Sequence, residues 1–166
     1  SADSITAQGF VWGEQANLSD GASVPADTTG GSTAIEYVLT GLTGGTAGYF
    51  SAYATNASGT SYGDTLALLT SPGITTDAAD AATDTSVTLN ATFSADSITA
   101  QGFVWGEQLD LSDGASVSAD TTGGSTAIEY VLTGLTGGTA GYFSAFATNS
   151  SGTTHGDTLA LLTSPG

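Results

Sequence analysis

Apolar and polar residues alternate along short stretches of this chain. In Ala127–Leu132, the residues Ile128, Tyr130 and Leu132 are set against Ala127, Glu129 and Val131, a period of two that predicts a strand with one face in a core. Gly141–Thr148 places Phe143, Ala145 and Ala147 on one face, with Tyr142, Ser144 and Phe146 on the other. Ser86–Phe93 alternates through Val87, Leu89, Ala91 and Phe93, and Asp157–Thr163 carries the short apolar run LALLT. Ile98–Glu107, like Ile5–Glu14, is a mixed apolar run containing Phe and Trp. Ile74–Thr83 reads as a weaker strand after the turn-forming SPG, although its Ala/Asp stretch also suits a helical turn. Between these runs lie the turn clusters LSDGASVSADTTGGS, TGLTGGT and TNSSGTTHGD. No window sustains a helical period between caps. Six or seven short strands in about 90 residues with regular turns predict a β-sandwich.

The pattern repeats. Residues 1–73 recur as 94–166 and differ at seven positions: Ala16/Leu109, Asn17/Asp110, Pro25/Ser118, Tyr53/Phe146, Ala57/Ser150, Ser61/Thr154 and Tyr62/His155. Ile74–Phe93 occurs once. A 93-residue period is too long for a solenoid turn and implies a small domain per repeat. The expected domains are residues 1–73 and 74–166. Near-identity of the copies suits a spacer, a stalk or a lattice better than two distinct tasks.

Composition narrows the role. The 166 residues include 16 Asp and Glu, one His, and no Lys, Arg, Cys or Met, giving a net charge of −16. Without cations there is no patch for phosphates, which argues against nucleic acid and against anionic lipid. Without Cys there is no disulfide, thiol catalysis or Cys-bound zinc. No apolar run approaches the roughly 20 residues that span a bilayer. Hydrophobic residues make up 39% of the chain, more than acidic disordered tails carry. Carboxylates without cationic partners form no ordinary salt bridge, so apolar burial and backbone ladders must carry stability. The lack of trypsin sites suits an exposed extracellular material.

GFVWGEQ…LSDG, followed by GLTGGTAGYFSAFATNSSGTTHGD, resembles the fibronectin type III-like repeats of bacterial secreted and surface proteins. The family's pattern is matched by Leu42, Thr46, Tyr53-Ala54-Thr55-Asn56 and Gly59, and by Leu135, Thr139, Phe146-Ala147-Thr148-Asn149 and Gly152. The chain departs from it where Pro is Gly44 or Gly137, and where the corner Tyr is Gly48 or Gly141, beside Tyr49 or Tyr142. The resemblance implies an all-β fold of tandem immunoglobulin-like (fibronectin type III-like) β-sandwiches. In the family's strand order Ile74–Phe93 supplies the first two strands of the second sandwich, so the first lacks its two N-terminal strands.

There are three ways of closing that first sandwich. Another subunit donates strands, or Ile74–Phe93 serves the first domain and a neighbour completes the second, or the repeat array continues upstream. The first two build head-to-tail polymers. The expected function is a structural subunit of an extracellular filament or surface fibre, a homopolymer with strand complementation as one route to assembly. The alternative is an adhesin or carbohydrate-binding stalk module.

Candidate sites are few. Asn17, Asn56, Asn90 and Asn149 each begin an N-x-Ser/Thr glycosylation triplet. Asn56 and Asn149 share one turn of the repeat, the exposed place a glycan needs, Asn17 is lost as Asp110, and Asn90 sits on a predicted strand. Trp12 and Trp105 read as core residues, or as an aromatic strip with Tyr49 and Tyr53 (Tyr142 and Phe146) that stacks on sugars or a neighbouring subunit. Asp77, Asp80 and Asp84, and the loop pairs Asp20/Asp27 and Asp113/Asp120, are calcium candidates without EF-hand spacing. Asp64 and Asp157 suit Asx-turns. Glu14, Glu36, Glu107 and Glu129 match no glycosidase motif, and His155 is Tyr62 in the other copy. No catalytic residue, cofactor or resident metal is assigned.

Overall fold

The computed structural model describes residues 4–26, 34–94, 97–119 and 126–166. Among these, every regular element is a β-strand, and every pairing is antiparallel. Contacts divide the chain into two units. Unit 1 comprises 1–42 and 46–69, and unit 2 comprises 43–45 and 70–166.

Unit 2 is a two-sheet sandwich. One sheet runs β10 (Ala127–Thr133), β7 (Ser86–Ser94), β6 (Gly73–Asp80). The other runs β12 (Gly152–His155), β11 (Ala140–Asn149), β8 (Ala100–Gly106), β9 (Ala115–Ser118), with β13 (Leu159–Leu162) also on β11. The alternation along β7 and β11 does what its period dictates. Val87, Leu89 and Ala91 from one sheet meet Phe103, Phe143, Ala145 and Leu161 from the other, all buried, and Ile128 and Leu132 of β10 complete the cluster. This is the immunoglobulin-like, fibronectin type III-like arrangement expected from the sequence. The Ala/Asp stretch is strand through Asp80, with an irregularity between Asp77 and Asp80 and a positive φ of 47° at Ala81. It is not a helical turn.

Unit 1 has one sheet: β2 (Ala22–Pro25), β1 (Ala7–Gly13), β3 (Ala47–Asn56), β4 (Gly59–Tyr62), with β5 (Leu66–Leu69) on β3. It reproduces the five-stranded sheet of unit 2 strand for strand, offset by 93. The three-stranded sheet has no counterpart among its described residues. The segment AIEYVLT forms β10 in unit 2 by pairing with β7 over seven positions, from Ala127↔Thr92 to Thr133↔Ser86. The identical AIEYVLT at 34–40 forms no strand. One sequence thus has two conformations, and the difference is the presence of β7. Strand propensity is a property of the packed neighbourhood rather than of the residues alone.

The two positions where the chain departs from the repeats it resembles are sterically confined. A Cβ on Gly137 would lie 2.3 Å from the backbone nitrogen of Gly166, and one on Gly44 would lie 2.1 Å from that of Gly73, so the TSPG segments press where the family has Pro. A Cβ on Gly48 or Gly141 would lie 2.9 or 2.8 Å from the carbonyl oxygen of Gly13 or Gly106. The corner Tyr has no room at that position.

Candidate interaction site

The inward face of unit 1 is built by β1, β2, β3 and β5. Trp12 stands opposite Phe50 in the β1–β3 register, and Phe10 packs edge-on to Phe50, ring centroids 6.4 Å apart at 62°. With Val24, Leu68, Ile35, Tyr37 and Leu39 they line an apolar cleft of about 330 Å³. Their counterparts in unit 2 are Phe103, Trp105, Val117, Phe143, Leu161, Ile128, Tyr130 and Leu132, all of which belong to or pack against its core. Phe103 and Phe143 keep the same geometry, 6.2 Å and 54°. None of the seven differences between the repeats touches this set. The surface is therefore the same in both copies, but its burial differs. Phe103 and Phe143 are 0% exposed, whereas Phe10 and Phe50 are half-buried and Tyr37 is 44% exposed.

Polar groups around the face follow the same rule. In unit 2 the Ala145 N–H donates to Thr76 Oγ1 of β6 at 3.0 Å, while the Ala145 carbonyl accepts from Gly156 N at 2.9 Å. A Cβ on Gly156 would lie 2.5 Å from that hydroxyl, so β6 rests directly on the glycine. In unit 1 the Ala52 carbonyl accepts from Gly63 N at 2.8 Å. No hydroxyl is bonded to the Ala52 N–H among the described residues. A Cβ on Gly63 meets nothing closer than 3.8 Å.

The glycosylation candidates separate along this line. Asn149 is 4% exposed, and its Nδ2 donates to the Thr70 carbonyl at 2.9 Å while its Oδ1 accepts from Ser151 N. In the folded unit that amide is buried and hydrogen-bonded through both its nitrogen and its oxygen. Asn56, its equivalent, is half-buried, and its Oδ1 accepts from Ser58 N at 2.9 Å. The expected equal exposure of the two turns does not hold, because the segment entering β6 covers only one of them. Asn90 lies half-buried on β7, its Nδ2 donating to the Ala78 carbonyl at 3.1 Å. Asn17 is exposed and caps Ser19 N at 3.0 Å.

The aromatic strip expected from the sequence does not assemble. Cross-strand partners share a face. Trp12 is paired with Phe50 and Tyr49 with Gly13, so Trp12 and Tyr49 leave opposite faces, as do Trp105 and Tyr142. The outer face carries a different pair, Tyr53 with Tyr62 at 6.2 Å, replaced together in unit 2 by Phe146 with His155 at 6.0 Å.

Asp20 and Asp113 are turn residues. The Asp20 carboxylate accepts from Glu14 N at 2.9 Å and Gln15 N at 3.2 Å, and Asp113 does the same for Glu107 N and Gln108 N. The Glu14 N–H bond, aided by that from Gln15, holds the Asp20 carboxyl below the usual carboxylate range. Each turn needs a left-handed Leu, Leu18 at φ 53° and Leu111 at 54°. Among the described residues no group of three or more His, Asp or Glu side chains could hold a metal ion, and Asp27 and Asp120 lie outside them. No helix of the described structure is long and apolar enough to cross a membrane.

No family model matches the chain, and neither does any curated protein. Solved structures similar to it include the FN1-FN3 domains of chicken CNTN1, at 13% identity and a TM-score of 0.41, covering 95% of this chain and 54% of that one. An I-band fragment of titin is similar at 14% identity and a TM-score of 0.39, covering 94% and 55%. The chain thus spans about half the length of the structures it resembles, and the fold assignment rests on the strand order of unit 2 itself.

Proposed function

We propose that the chain is a structural subunit of an extracellular filament or surface fibre. Its repeating joint is the closure of the open sheet of unit 1 by β-strands from neighbouring polypeptide of the same kind. One observation carries this reading: the core side chains that the five-stranded sheet and AIEYVLT supply in unit 2 are present unchanged in unit 1, where Phe10, Ile35, Leu39, Phe50 and Leu68 are less buried than their counterparts and Val87, Leu89 and Ala91 of β7 have no described equivalent. An apolar sheet face left in water forfeits roughly 25 cal/mol for every Å² that a partner would cover. Near-identical units suit a lattice. A chain without Lys, Arg or Cys meets neither trypsin nor the redox state of its surroundings as a threat.

Electron microscopy of the native material tests this. Filaments with a regular axial repeat are expected, and the density should show strands lying across the Phe10–Phe50 face. Monodisperse particles at every concentration would overturn the proposal.

A further inference from the structure

The chemistry of the joint can be specified further if the fibre reading holds, since the occupant of unit 1 rests on that reading. We infer that unit 1 is a receptor for one particular partner, a β-hairpin of the Thr70–Ser94 type that has no sheet of its own to cover. Unit 2 shows the complex already formed, on a receptor surface of identical side chains. Three sets of contacts define it. Val87, Leu89 and Ala91 of β7 fill the apolar face. Thr76 Oγ1 accepts from the Ala145 N–H. The Thr70 carbonyl accepts from Asn149 Nδ2. Unit 1 keeps each counterpart in place: the Phe10–Phe50 face, the Ala52 N–H, and the Asn56 amide, whose Nδ2 has no acceptor among the described residues. It also keeps AIEYVLT at 34–40, the sequence that pairs with β7 when β7 is beside it.

The polar groups choose between occupants. A second unit 1 laid face to face would cover the aromatic residues, but among its described residues it has no counterpart of β6 or of the segment entering it, which bring the Thr76 hydroxyl and the Thr70 carbonyl to these groups in unit 2. The hairpin at 73–94 already covers the sheet of unit 2, and moving it would open the sheet it leaves. The occupant of unit 1 is therefore a further hairpin of this chemistry that is not already folded against its own sheet. Docking is β-augmentation combined with core completion: main-chain pairing with 34–40 on one side and alternate apolar side chains pointing inward.

The test uses the whole chain and a synthetic peptide of residues 70–94. Amide hydrogen exchange is followed at 35–39 and, as an internal control, at 128–132. With the peptide, protection at 35–39 is expected to rise about tenfold or more at one peptide per chain, with 128–132 unchanged. Trp12 emission should shift to the blue, read in W105F. A peptide carrying Leu89→Asp should do neither. Absence of binding by the unaltered peptide overturns the inference. So does protection of 35–39 in a dimer of the chain without peptide, which would make a second copy the occupant. Filaments in the native material with no peptide binding would sink the hairpin and leave the fibre reading. Peptide binding without native filaments would do the reverse.

Discussion

Two phenylalanines with identical sequence neighbours make a controlled experiment. Phe143 is 0% exposed, between the sheets of unit 2. Truncation to Ala removes a buried ring and leaves a cavity, which costs about 3–5 kcal/mol. Phe50 is the same residue on the same strand, half-buried on an open face. It has roughly half the transfer energy of a Phe to lose and no enclosed cavity to leave, so Phe50→Ala should cost about 1 kcal/mol in the dilute chain. The remaining difference, about 2–4 kcal/mol, belongs to the joint. It should reappear as a roughly 30- to 1,000-fold weaker affinity for the 70–94 peptide. Urea denaturation at low concentration reads the first pair of numbers, with W12F and W105F backgrounds assigning each transition to one unit. If Phe50→Ala costs as much as Phe143→Ala in the monomer, the sheet of unit 1 is already closed, and the reasoning fails.

Three further outcomes are expected. Gln101 is 4% exposed on β8 with neither Nε2 nor Oε1 partnered among the described residues, so Gln101→Leu should stabilise unit 2 by about 1–2 kcal/mol in thermal unfolding, and destabilisation would show a hidden partner. The Asp20 carboxyl is held low by backbone donors, so it favours the folded turn above the unfolded pKa and loses that contribution as pH falls through the lower folded value. A carboxyl-carbon NMR titration should place its midpoint below the ordinary aspartate value, and a midpoint at or above that value would contradict the Glu14 and Gln15 bonds. All formal side-chain charges are negative, so raising ionic strength should increase both Tm and peptide affinity, because screening removes only repulsion. A Tm that falls with added salt would refute this.

Much of unit 2 was legible because its strands are half-buried and their side chains obey a period of two. Val87, Leu89 and Ala91 on β7, and Phe143, Ala145 and Ala147 on β11, declare their inward face in the sequence. The strands β9 and β12 were not legible. Each has four residues, at a sheet edge, within stretches of Gly, Ser and Thr that read as turns, and pairing with a neighbour defines them more than any pattern of their own. The repeat exposed the missing strands at once, but periodicity could not say what AIEYVLT does at 34–40, because that depends on a partner strand. The site divides similarly. The shared apolar face followed from the identity of the repeats. The roles of Thr76 and Asn149 did not, since a lone threonine and a turn asparagine carry no sign of the backbone groups they will meet some 70–80 residues away. Register also decided the aromatic residues: adjacent Tyr49 and Phe50 look alike in sequence and leave opposite faces.

Hydrogen exchange along 35–39, compared with 128–132 in the same molecules, tests most directly whether unit 1 is an open sheet awaiting strands. In dilute chain the first segment should exchange near the unstructured rate while the second is protected by its ladder to β7, and in native assemblies both should be protected. Equal protection of the two segments in the dilute monomer would show that unit 1 is sealed by its own residues.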